Sequence, residues 1–352
     1  MKMNYNINKK LLREILESIT PSGNEESLVK LWMRELKDVA NVLYADAMGS
    51  AHAILNNTAQ RKVVINAHCD EIGFVIKSIS DEGFLKIAPL GGWDAQVAVG
   101  QRVKILSDNG IVFGVIGKKP LHQIEDFKVA TKTKELFVDI GAKNKTDAAR
   151  MVSIGDSMVL DQGFVELCNG LFSSRGCDDK VGFFIILEVL KELAKEHLDV
   201  AVEGIASVQE EVGTRGVQSA AYLANADIAF VVDINFANDH PCAEKDTDIC
   251  LGRGPILERG PHVNKKLFRL LRSTAELNEI QYQLNATGRA FGTDTEVLQK
   301  SRGGLASALV SIPCRYAHSP SETCSYKDIE AIINLLIASI KAINNDTDVN
   351  FI

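Results

Sequence analysis

The sequence predicts an α/β protein in which a mixed, mostly parallel central sheet is flanked by helices and a smaller β-rich domain is inserted. Two features support this prediction. Strands and helices alternate after residue 178, which is typical of a sheet covered by helices, whereas residues 72–160 show short alternating strands joined by tight turns. A chain of 352 residues also exceeds what one small core needs. We therefore expect the main domain at residues 1–70 and 163–352 and the inserted domain at residues 71–162.

The first third of the chain predicts two helices, three strands and two hairpins. Residues 8–39 carry two amphipathic patterns separated by Thr20-Pro21-Ser22-Gly23-Asn24, which is typical of a helix end followed by a new cap. Extended segments are expected at residues 41–45, 51–55 and 62–67. In the inserted region, Asp81-Glu82-Gly83 and Ser107-Asp108-Asn109-Gly110 each separate two β-type runs, and such turns predict hairpins.

The second half of the chain predicts alternating elements. Strands are expected at residues 200–208, 228–232, 281–284 and 306–312, and helices at residues 181–193, 216–224, 264–277, 294–300 and 327–343. Apolar residues at helical spacing predict the buried faces of two helices. These residues are Leu267, Leu270, Leu271 and Leu277 in one helix, and Ile329, Ile332, Ile333, Leu336, Ile337 and Ile340 in the other. Ligand sites of such sheets gather beyond the carboxyl ends of the strands.

Composition and charge exclude several classes of protein. Apolar content of 46% and charged content of 24% are typical of globular proteins. The net charge is −7 and no basic run is interleaved with aromatic residues, which argues against a nucleic acid partner. The polar N-terminus lacks a signal peptide, and the apolar stretch at residues 181–190 is too short to span a bilayer. Seven cysteines without a C-x-x-C pair indicate reduced thiols, so we expect a cytoplasmic protein without a membrane partner.

Two adjacent carboxylates, Glu210 and Glu211, follow the predicted buried strand at residues 200–208. Adjacent acids are costly to desolvate unless a positive charge lies between them, and a metal ion is the best candidate. Further oxygen and imidazole donors, which suit borderline or hard divalent ions, occur at or near the ends of other elements: His68, Asp70, Asp178, Asp233 and His318. A cysteine ligand is not expected, because Cys69 would point away from the face that His68 and Asp70 share.

Five of these residues suffice for a two-metal site. Two ions about 3.5 to 4 Å apart need a bridging ligand, terminal ligands on each side and a water between them. Asp178 suits the bridge, because its carboxylate has two oxygens and lies immediately before a predicted helix. His68 and Asp233 would complete one ion. Glu211 and His318 would complete the other.

Asp70 and Glu210 are not among the five predicted ligands, and each has a different expected role next to the metals. Asp70 would accept the second N–H of His68 and fix its tautomer. Glu210, left without a metal, would be the general base that takes a proton from the bridging water. Each motif alone has a simpler explanation: Asp178 can belong to a solvated turn, Asp233 can cap a helix, and His318 can be a loop histidine bonded to backbone. Their combination at successive elements favours the metal site.

Several motifs together resemble one protein family over nearly the whole chain. The chain resembles metallopeptidase family forty-two, the tetrahedral aminopeptidases, also called glutamyl or deblocking aminopeptidases and sometimes endoglucanase M. The motifs that carry the resemblance are Ala67-His68-Cys69-Asp70-Glu71-Ile72-Gly73, Gly91-Gly92-Trp93-Asp94, Val138-Asp139-Ile140-Gly141-Ala142, Asp178-Asp179-Lys180-Val181-Gly182, Gln209-Glu210-Glu211-Val212-Gly213, Gly292-Thr293-Asp294 and Arg315-Tyr316-Ala317-His318-Ser319-Pro320-Ser321-Glu322. Phe291, Thr295 and Glu296 depart from the family pattern.

The resemblance implies a site, a fold and an assembly. It implies a zinc-peptidase-like fold, a β-barrel-like inserted domain, and a self-compartmentalised homododecamer of tetrahedral shape that admits small peptides. The implied histidine-orienting acid is Asp70 and the implied base is Glu210, as the chemistry above suggests. The implied metal ligands are likewise His68, Asp178, Glu211, Asp233 and His318.

The implied activity is that of a co-catalytic dinuclear metal aminopeptidase, with two ions of zinc, cobalt or manganese, which these donors do not distinguish. One alternative is a metal-dependent deacylase or carboxypeptidase of the same fold. In those relatives the insert usually lies between later ligands, whereas here it lies between His68 and Asp178. A glycosidase would use two carboxylates without metals and leave the histidines unexplained. A non-catalytic binding protein is the remaining alternative.

Overall fold

The computed structural model describes residues 5–123, 130–241, 243 and 247–350. Eight of the described strands form a central sheet: β1 (Val42–Ala45), β2 (Ala51–Leu55), β3 (Lys62–His68), β12 (Ala201–Ser207), β13 (Ile228–Phe236), β14 (Ile256–Arg259), β15 (Gln283–Ala286) and β16 (Ala306–Cys314). Their order across the sheet is β1-β2-β12-β3-β13-β16-β14-β15. Strands β12, β3, β13 and β16 are parallel neighbours, so their carboxyl ends meet at one edge of the sheet.

Helices cover both faces of the central sheet. Five of them share one apolar core: α1 (Lys9–Glu17), α2 (Glu26–Leu36), α5 (Cys177–Leu193), α7 (Lys265–Leu277) and α9 (Tyr326–Lys341). The other face carries α6 (Arg215–Ala224) and α8 (Thr295–Lys300). Val63 and Ile65 of β3 point into the first core and Val64 into the second, as alternation along a strand requires. A strand covered on both faces is therefore mostly apolar, as Val63, Val64 and Ile65 are.

The β-rich insert forms a closed barrel between β3 and α5. Its strands in the described part of the chain are β4 (Gly73–Ile79), β5 (Leu85–Leu90), β6 (Arg102–Ser107), β7 (Gly110–Gly117), β8 (Phe137–Asp139) and β9 (Ser157–Leu160). They close in the order β4-β5-β8-β7-β6-β9, with antiparallel neighbours throughout. Phe74, Val103 and Met158 belong to its own apolar core. Two short helices, α3 (Ala95–Ala98) and α4 (Lys145–Ala148), also lie in this region.

The sequence does not predict β14 or a small separate sheet. That sheet contains β10 (Val165–Glu166), β11 (Leu171–Ser174) and β17 (Glu322–Ser325), with β11 between the other two. Strand β13 is also longer than predicted: Asp233 is expected at its end, but the strand continues to Phe236 and pairs Asp233 with Ser311 of β16.

The prediction is wrong for one residue of helix α7. Leu267 and Leu271 are buried, but Leu277 is 83% exposed. Leu277 is the last residue of the helix, and Phe268 and Ala275 complete the buried face in its place. All six residues of the predicted buried stripe in α9 are buried.

The predicted fold class is confirmed, since a mixed sheet flanked by helices carries an inserted six-stranded barrel. The exact domain limits at residues 71 and 162 stay a prediction. Among the described residues, none of the helices combines the length and apolarity that a bilayer crossing requires.

Candidate metal and catalytic site

The five predicted ligands come together beside the carboxyl ends of the parallel strands. His68 ends β3, Asp233 lies in β13, and Asp178 lies in the first turn of α5, while Glu211 and His318 lie in loops after β12 and β16. They form two overlapping groups whose ligand atoms lie within 4.8 Å of one another. The first group is His68, Asp178 and Asp233, and the second is Asp178, Glu211 and His318. Asp178 is therefore common to both groups.

Asp178 contacts the two histidines through different oxygens. Oδ1 lies 3.1 Å from Nε2 of His68, and Oδ2 lies 3.2 Å from Nε2 of His318. Burial opposes ionisation of Asp178, but hydrogen bonds from His318 and His68 hold its pKa below the ordinary value. Nε2 of His318 also lies 3.3 Å from Oε2 of Glu211. Hydrogen bonds to Asp178 and Glu211 raise the pKa of His318 to about 11.

The site holds more carboxylate than its surroundings neutralise. Burial, together with neighbouring carboxylates, raises the pKa of Asp233 and of Glu211. Oε1 of Glu211 is buried and has no hydrogen-bond partner among the described residues. The described residues that line the cavity include no Lys or Arg. A cation between such buried carboxylates favours their charged form, and imidazole with carboxylate is a donor set that zinc, cobalt and manganese accept. The residues present therefore fit a pair of divalent ions.

Glu210 lines the same cavity but belongs to neither group of ligand atoms. Burial, together with Asp294 and Asp233, raises the pKa of Glu210 to about 10. A nearby cation would lower the pKa of Glu210, because it favours the charged carboxylate. A carboxylate in this position can exchange a proton with a molecule in the cavity.

Asp70 is fully buried beside His68 and the two glutamates. Its Oδ1 lies 3.2 Å from Nδ1 of His68, and its backbone carbonyl oxygen lies at the same distance from that nitrogen. Oδ1 also accepts the backbone N–H of Glu210 at 3.0 Å, and Oδ2 accepts the N–H of Glu211 at 3.2 Å. The sequence does not predict these backbone contacts. Asp70 therefore fixes both the imidazole and the backbone of the paired glutamates.

Two further buried carboxylates accept backbone N–H groups of the proposed ligands. The sequence does not predict a role for either of them. Asp179 accepts the N–H of His68 at 3.3 Å. Glu322 accepts the N–H of Asp178 at 3.1 Å and the N–H of His318 at 2.8 Å. Both acids occur inside the motifs noted above, but their partners are backbone groups, which side-chain chemistry alone does not reveal.

The barrel also contributes to the wall of the site. Gly91 and Gly92 follow β5, and a Cβ atom at Gly92 would lie 3.1 Å from Nδ1 of His318. A Cβ atom at Gly91 would lie 3.2 Å from Oε2 of Glu211, and Gly91 has a left-handed φ of 78°. Gly91 therefore requires glycine for its backbone conformation, and a side chain at Gly92 would crowd His318.

A cavity of about 200 Å³ adjoins the ligands. Beyond the predicted site residues it is lined by Ile234, Asn235, Phe236, Phe291, Gly292, Thr293, Leu309 and Ser311. Phe291, which departs from the family pattern, is thus in the cavity wall. Glu296, another departure, accepts the N–H of Gly292 at 3.0 Å.

Comparison with known proteins identifies the family. The family model described as M42 glutamyl aminopeptidase matches residues 49–335, a range that contains all seven predicted site residues. The chain belongs to the M42 family. Similarity to relatives extends over nearly the whole chain. The lysyl aminopeptidase of Pyrococcus furiosus is 31% identical over 336 residues, which cover 94% of this chain and 96% of the relative.

Solved structures agree with the M42 assignment. A TET aminopeptidase from a marine sediment archaeon of the Thaumarchaeota has a TM-score of 0.92 and 31% identity, covering 96% of this chain and 97% of that one. The TET1 peptidase of Pyrococcus horikoshii has a TM-score of 0.86 and 32% identity, covering 95% and 99%, and can assemble into a tetrahedron or an octahedral shell. Another TET1 structure, with a TM-score of 0.87 and 31% identity over 96% and 100%, is a dodecamer. The M42 chain described here is therefore a peptide-bond hydrolase of the aminopeptidase type.

Proposed function

We propose that the protein is a co-catalytic dinuclear metal aminopeptidase that removes N-terminal residues from small peptides. The observation that carries this proposal is the presence of Asp178 in both groups of ligand atoms. A carboxylate shared between two groups suits a bridge between two divalent cations. Membership of the M42 family supports the peptide-bond chemistry.

The five ligands divide between two ions. His68 and Asp233 would hold one, Glu211 and His318 the other, and Asp178 would contact both. When bound, the two ions supply Lewis-acid chemistry, which polarises the scissile carbonyl group and lowers the pKa of water. Zinc, cobalt and manganese all suit these donors.

The remaining residues bind, orient and move protons. Glu210 takes a proton from the attacking water and later gives it to the leaving amine, a contribution of about 10²- to 10⁴-fold in rate. Asp70 contacts Nδ1 of His68, which leaves Nε2 facing Asp178. Apolar residues of the cavity wall, including Phe291 and Leu309, exclude water around the first side chain of the substrate.

We also infer a cytoplasmic homododecamer that acts on peptides and does not bind nucleic acid or membranes. The dodecameric and tetrahedral TET1 structures support the assembly. Seven cysteines without a C-x-x-C pair favour reduced thiols and therefore a cytoplasmic location.

Hydrolysis of a panel of aminoacyl p-nitroanilides tests the activity. The purified protein should cleave substrates with a free amino group, lose activity after chelation, and regain it when zinc, cobalt or manganese is restored. N-acetylated versions of the same substrates should remain intact, which separates an aminopeptidase from a deacylase. Hydrolysis that resists chelation would contradict the metal-dependent proposal.

Two variants test the division of roles between base and ligand. Glu210→Gln should keep its metal content but lose about 10²- to 10⁴-fold in kcat, because the amide cannot accept the proton. His318→Ala should lose metal. His197→Ala is the matched control, because His197 has a side chain that is 94% exposed and lies outside the site. Metal analysis that finds Glu210→Gln without metal would overturn this assignment.

A further inference from the structure

The loop between helices α1 and α2 lies against the candidate site. The sequence predicts only a helix end and a cap here, but the loop makes several polar contacts with the segment that carries Asp70. The N–H of Thr20 donates to Glu71 at 3.0 Å, and the hydroxyl of Ser22 donates to Oδ2 of Asp70 at 2.7 Å. The last residue of the loop, Glu25, reaches the segment before Glu210.

Three consecutive backbone N–H groups at residues 209, 210 and 211 point at two buried carboxylates. Those of Glu210 and Glu211 donate to Asp70. That of Gln209 donates to Oε1 of Glu25 at 3.1 Å. Gln209 has a left-handed φ of 55°, a conformation that a residue with a side chain rarely adopts without external support. The hydrogen bond from Gln209 to Glu25 supplies such support directly before the proposed base.

Glu25 is placed as a helix cap but does not serve as one. It occupies the N-cap position of α2, yet its side chain makes no capping bond to that helix. Its Oε1 instead accepts the N–H of Gly23 at 2.7 Å together with the N–H of Gln209. The residue is only 6% exposed. Burial of a carboxylate costs free energy, and here no helix-capping bond offsets that cost. The contacts with Gly23 and Gln209 account for the glutamate instead.

We propose that Glu25 is a positioning residue for catalysis, which holds the backbone of Gln209 so that the side chain of Glu210 keeps its orientation in the cavity. This inference rests on the proposed function, because it assigns Glu25 a role through the proposed base. Glu25 itself touches neither the cavity nor a proposed ligand side chain.

Two substitutions of Glu25, one that changes its charge and one that changes its length, separate a positioning role from an effect of charge. Glu25→Gln loses the charge but keeps an oxygen acceptor at the same distance. Glu25→Asp keeps the charge and a good N-cap residue but is one methylene too short to hold Gln209. We expect Glu25→Gln to retain kcat and Glu25→Asp to lose about 10- to 100-fold in kcat, with KM unchanged, because small misplacement of a reacting group costs this much.

Combination with Glu210→Gln tests whether Glu25 acts through the base. In the Glu210→Gln background, Glu25→Asp should cause no further loss of kcat, since the group that it positions no longer accepts a proton. Metal content and the thermal midpoint are measured for each variant. Metal content should stay at the wild-type value in both Glu25 variants, and a thermal midpoint well above the assay temperature should show that both remain folded, which excludes loss of ligands or of folding as the cause.

Glu26→Asp is the matched control, because Glu26 is the next residue, its side chain is 83% exposed, and its only ion pair is with Lys30 on the surface among the residues described. It should behave as wild type. The inference is wrong if Glu25→Asp retains full kcat, if Glu25→Gln loses as much as Glu25→Asp, or if the effect persists in the Glu210→Gln background. A wild-type protein that cleaves no aminoacyl substrate would instead refute the proposed function.

Discussion

Glu322 joins two proposed ligands that are far apart in the sequence. One of its oxygens accepts the N–H of Asp178 and the other accepts the N–H of His318. An amide in place of this carboxylate would offer one acceptor and one donor, so one of the two backbone contacts would be lost. The side chain is 1% exposed, so water would not replace that contact easily.

We predict that Glu322→Gln weakens metal binding by about 10- to 100-fold, because groups that orient ligands typically contribute this much to affinity. Titration of the metal-free protein against a chromophoric chelator would measure the change. Ser321→Ala, at the exposed neighbouring position, should leave the affinity unchanged. Equal affinity in Glu322→Gln and wild type would show that these backbone contacts do not fix the ligands.

Residue chemistry predicts the proposed ligands but not the acids that support them. Imidazoles and carboxylates near the ends of elements are visible in the sequence, which is why His68, Asp178 and Glu211 can be selected before the fold is known. Asp179, Glu322 and Glu25 are acidic too, but the sequence alone does not distinguish them from acids on the surface. Their partners are backbone N–H groups of distant residues, and only the folded chain brings these together.

At the level of elements, one buried ion cluster connects the segment between β3 and β4, the loop after α1 and the region where α5 begins. Glu71 accepts hydrogen bonds from Arg175 and Lys180, and all three side chains are at most 6% exposed. Lys180 also donates to the carbonyl oxygen of Ser18 at 2.7 Å. Asp70 is adjacent to Glu71, and Asp178 lies between Arg175 and Lys180 in the chain, so the cluster holds both sides of the candidate site together.

We predict that Glu71→Gln lowers the free energy of unfolding by about 3 to 5 kcal/mol, because it leaves two cations buried without their counter-charge. Chemical denaturation followed by circular dichroism would measure it. Glu26→Gln removes an exposed carboxylate in the same way and should change stability by no more than about 0.5 kcal/mol. A loss in Glu71→Gln as small as in this control would contradict the importance of the cluster.

The first turn of helix α9 contains a buried acid that makes stability depend on pH. Asp328 accepts the N–H groups of Gly252 and Gly254, each at 2.7 Å. Burial raises the pKa of Asp328 to about 7. An acid whose pKa is higher in the folded state favours folding when protonated. Its contribution is fully present below its unfolded pKa of about 4 and is lost as the pH rises through about 7.

We predict that the wild type loses stability relative to Asp328→Asn as the pH rises from about 4 to 7, by up to about 1.4 kcal/mol per pH unit. Unfolding midpoints measured across this range would give the difference. Asp38→Asn, at a position where the side chain is 85% exposed, should give a curve parallel to that of the wild type. Parallel curves for Asp328→Asn and wild type would exclude this contribution.

The long helix α9 could be predicted from its repeating apolar residues, whereas the short strands β14 and β17 could not. The apolar stripe of α9, from Ile329 to Ile340, extends over about three turns and fixes the buried face of the helix. Strands β14 and β17 have four residues each and owe their pairing to distant partners, such as β16 and β11. Leu277 fits the apolar spacing of α7, but spacing does not show where a helix loses contact with the sheet.

For the whole molecule, several apolar side chains remain exposed on the single chain. Ile111 is 48% exposed, Phe113 61% and Val115 47%, and alternation along β7 places all three on one face of that strand. A contiguous row of exposed apolar side chains is typical of surfaces that other subunits cover. This agrees with the proposed assembly, in which some of them would be buried.

We predict a particle of about 460 kDa, twelve times the 38.4 kDa of one chain. Light scattering after gel filtration would measure the mass, and dilution should not change it if the assembly is stable. A single species at 38.4 kDa would contradict the dodecamer.

The overall architecture could be predicted because alternation of strands and helices limits the choice of topology. Closure of the insert into a barrel was implied by family resemblance only. Its hairpins were visible from the turns after Ile79 and Ser107, but pairing of β4 with β9 joins residues about eighty positions apart, such as Phe74 and Met158.

The position of Gly91 and Gly92 has a consequence for how such enzymes diverge. The insert contributes no proposed ligand, yet its glycine turn lies against Glu211 and His318. Mutations that shift this turn could therefore retune reactivity while every ligand stays in place. Two enzymes with identical ligands would then differ in rate or selectivity through substitutions in a domain that supplies no ligand.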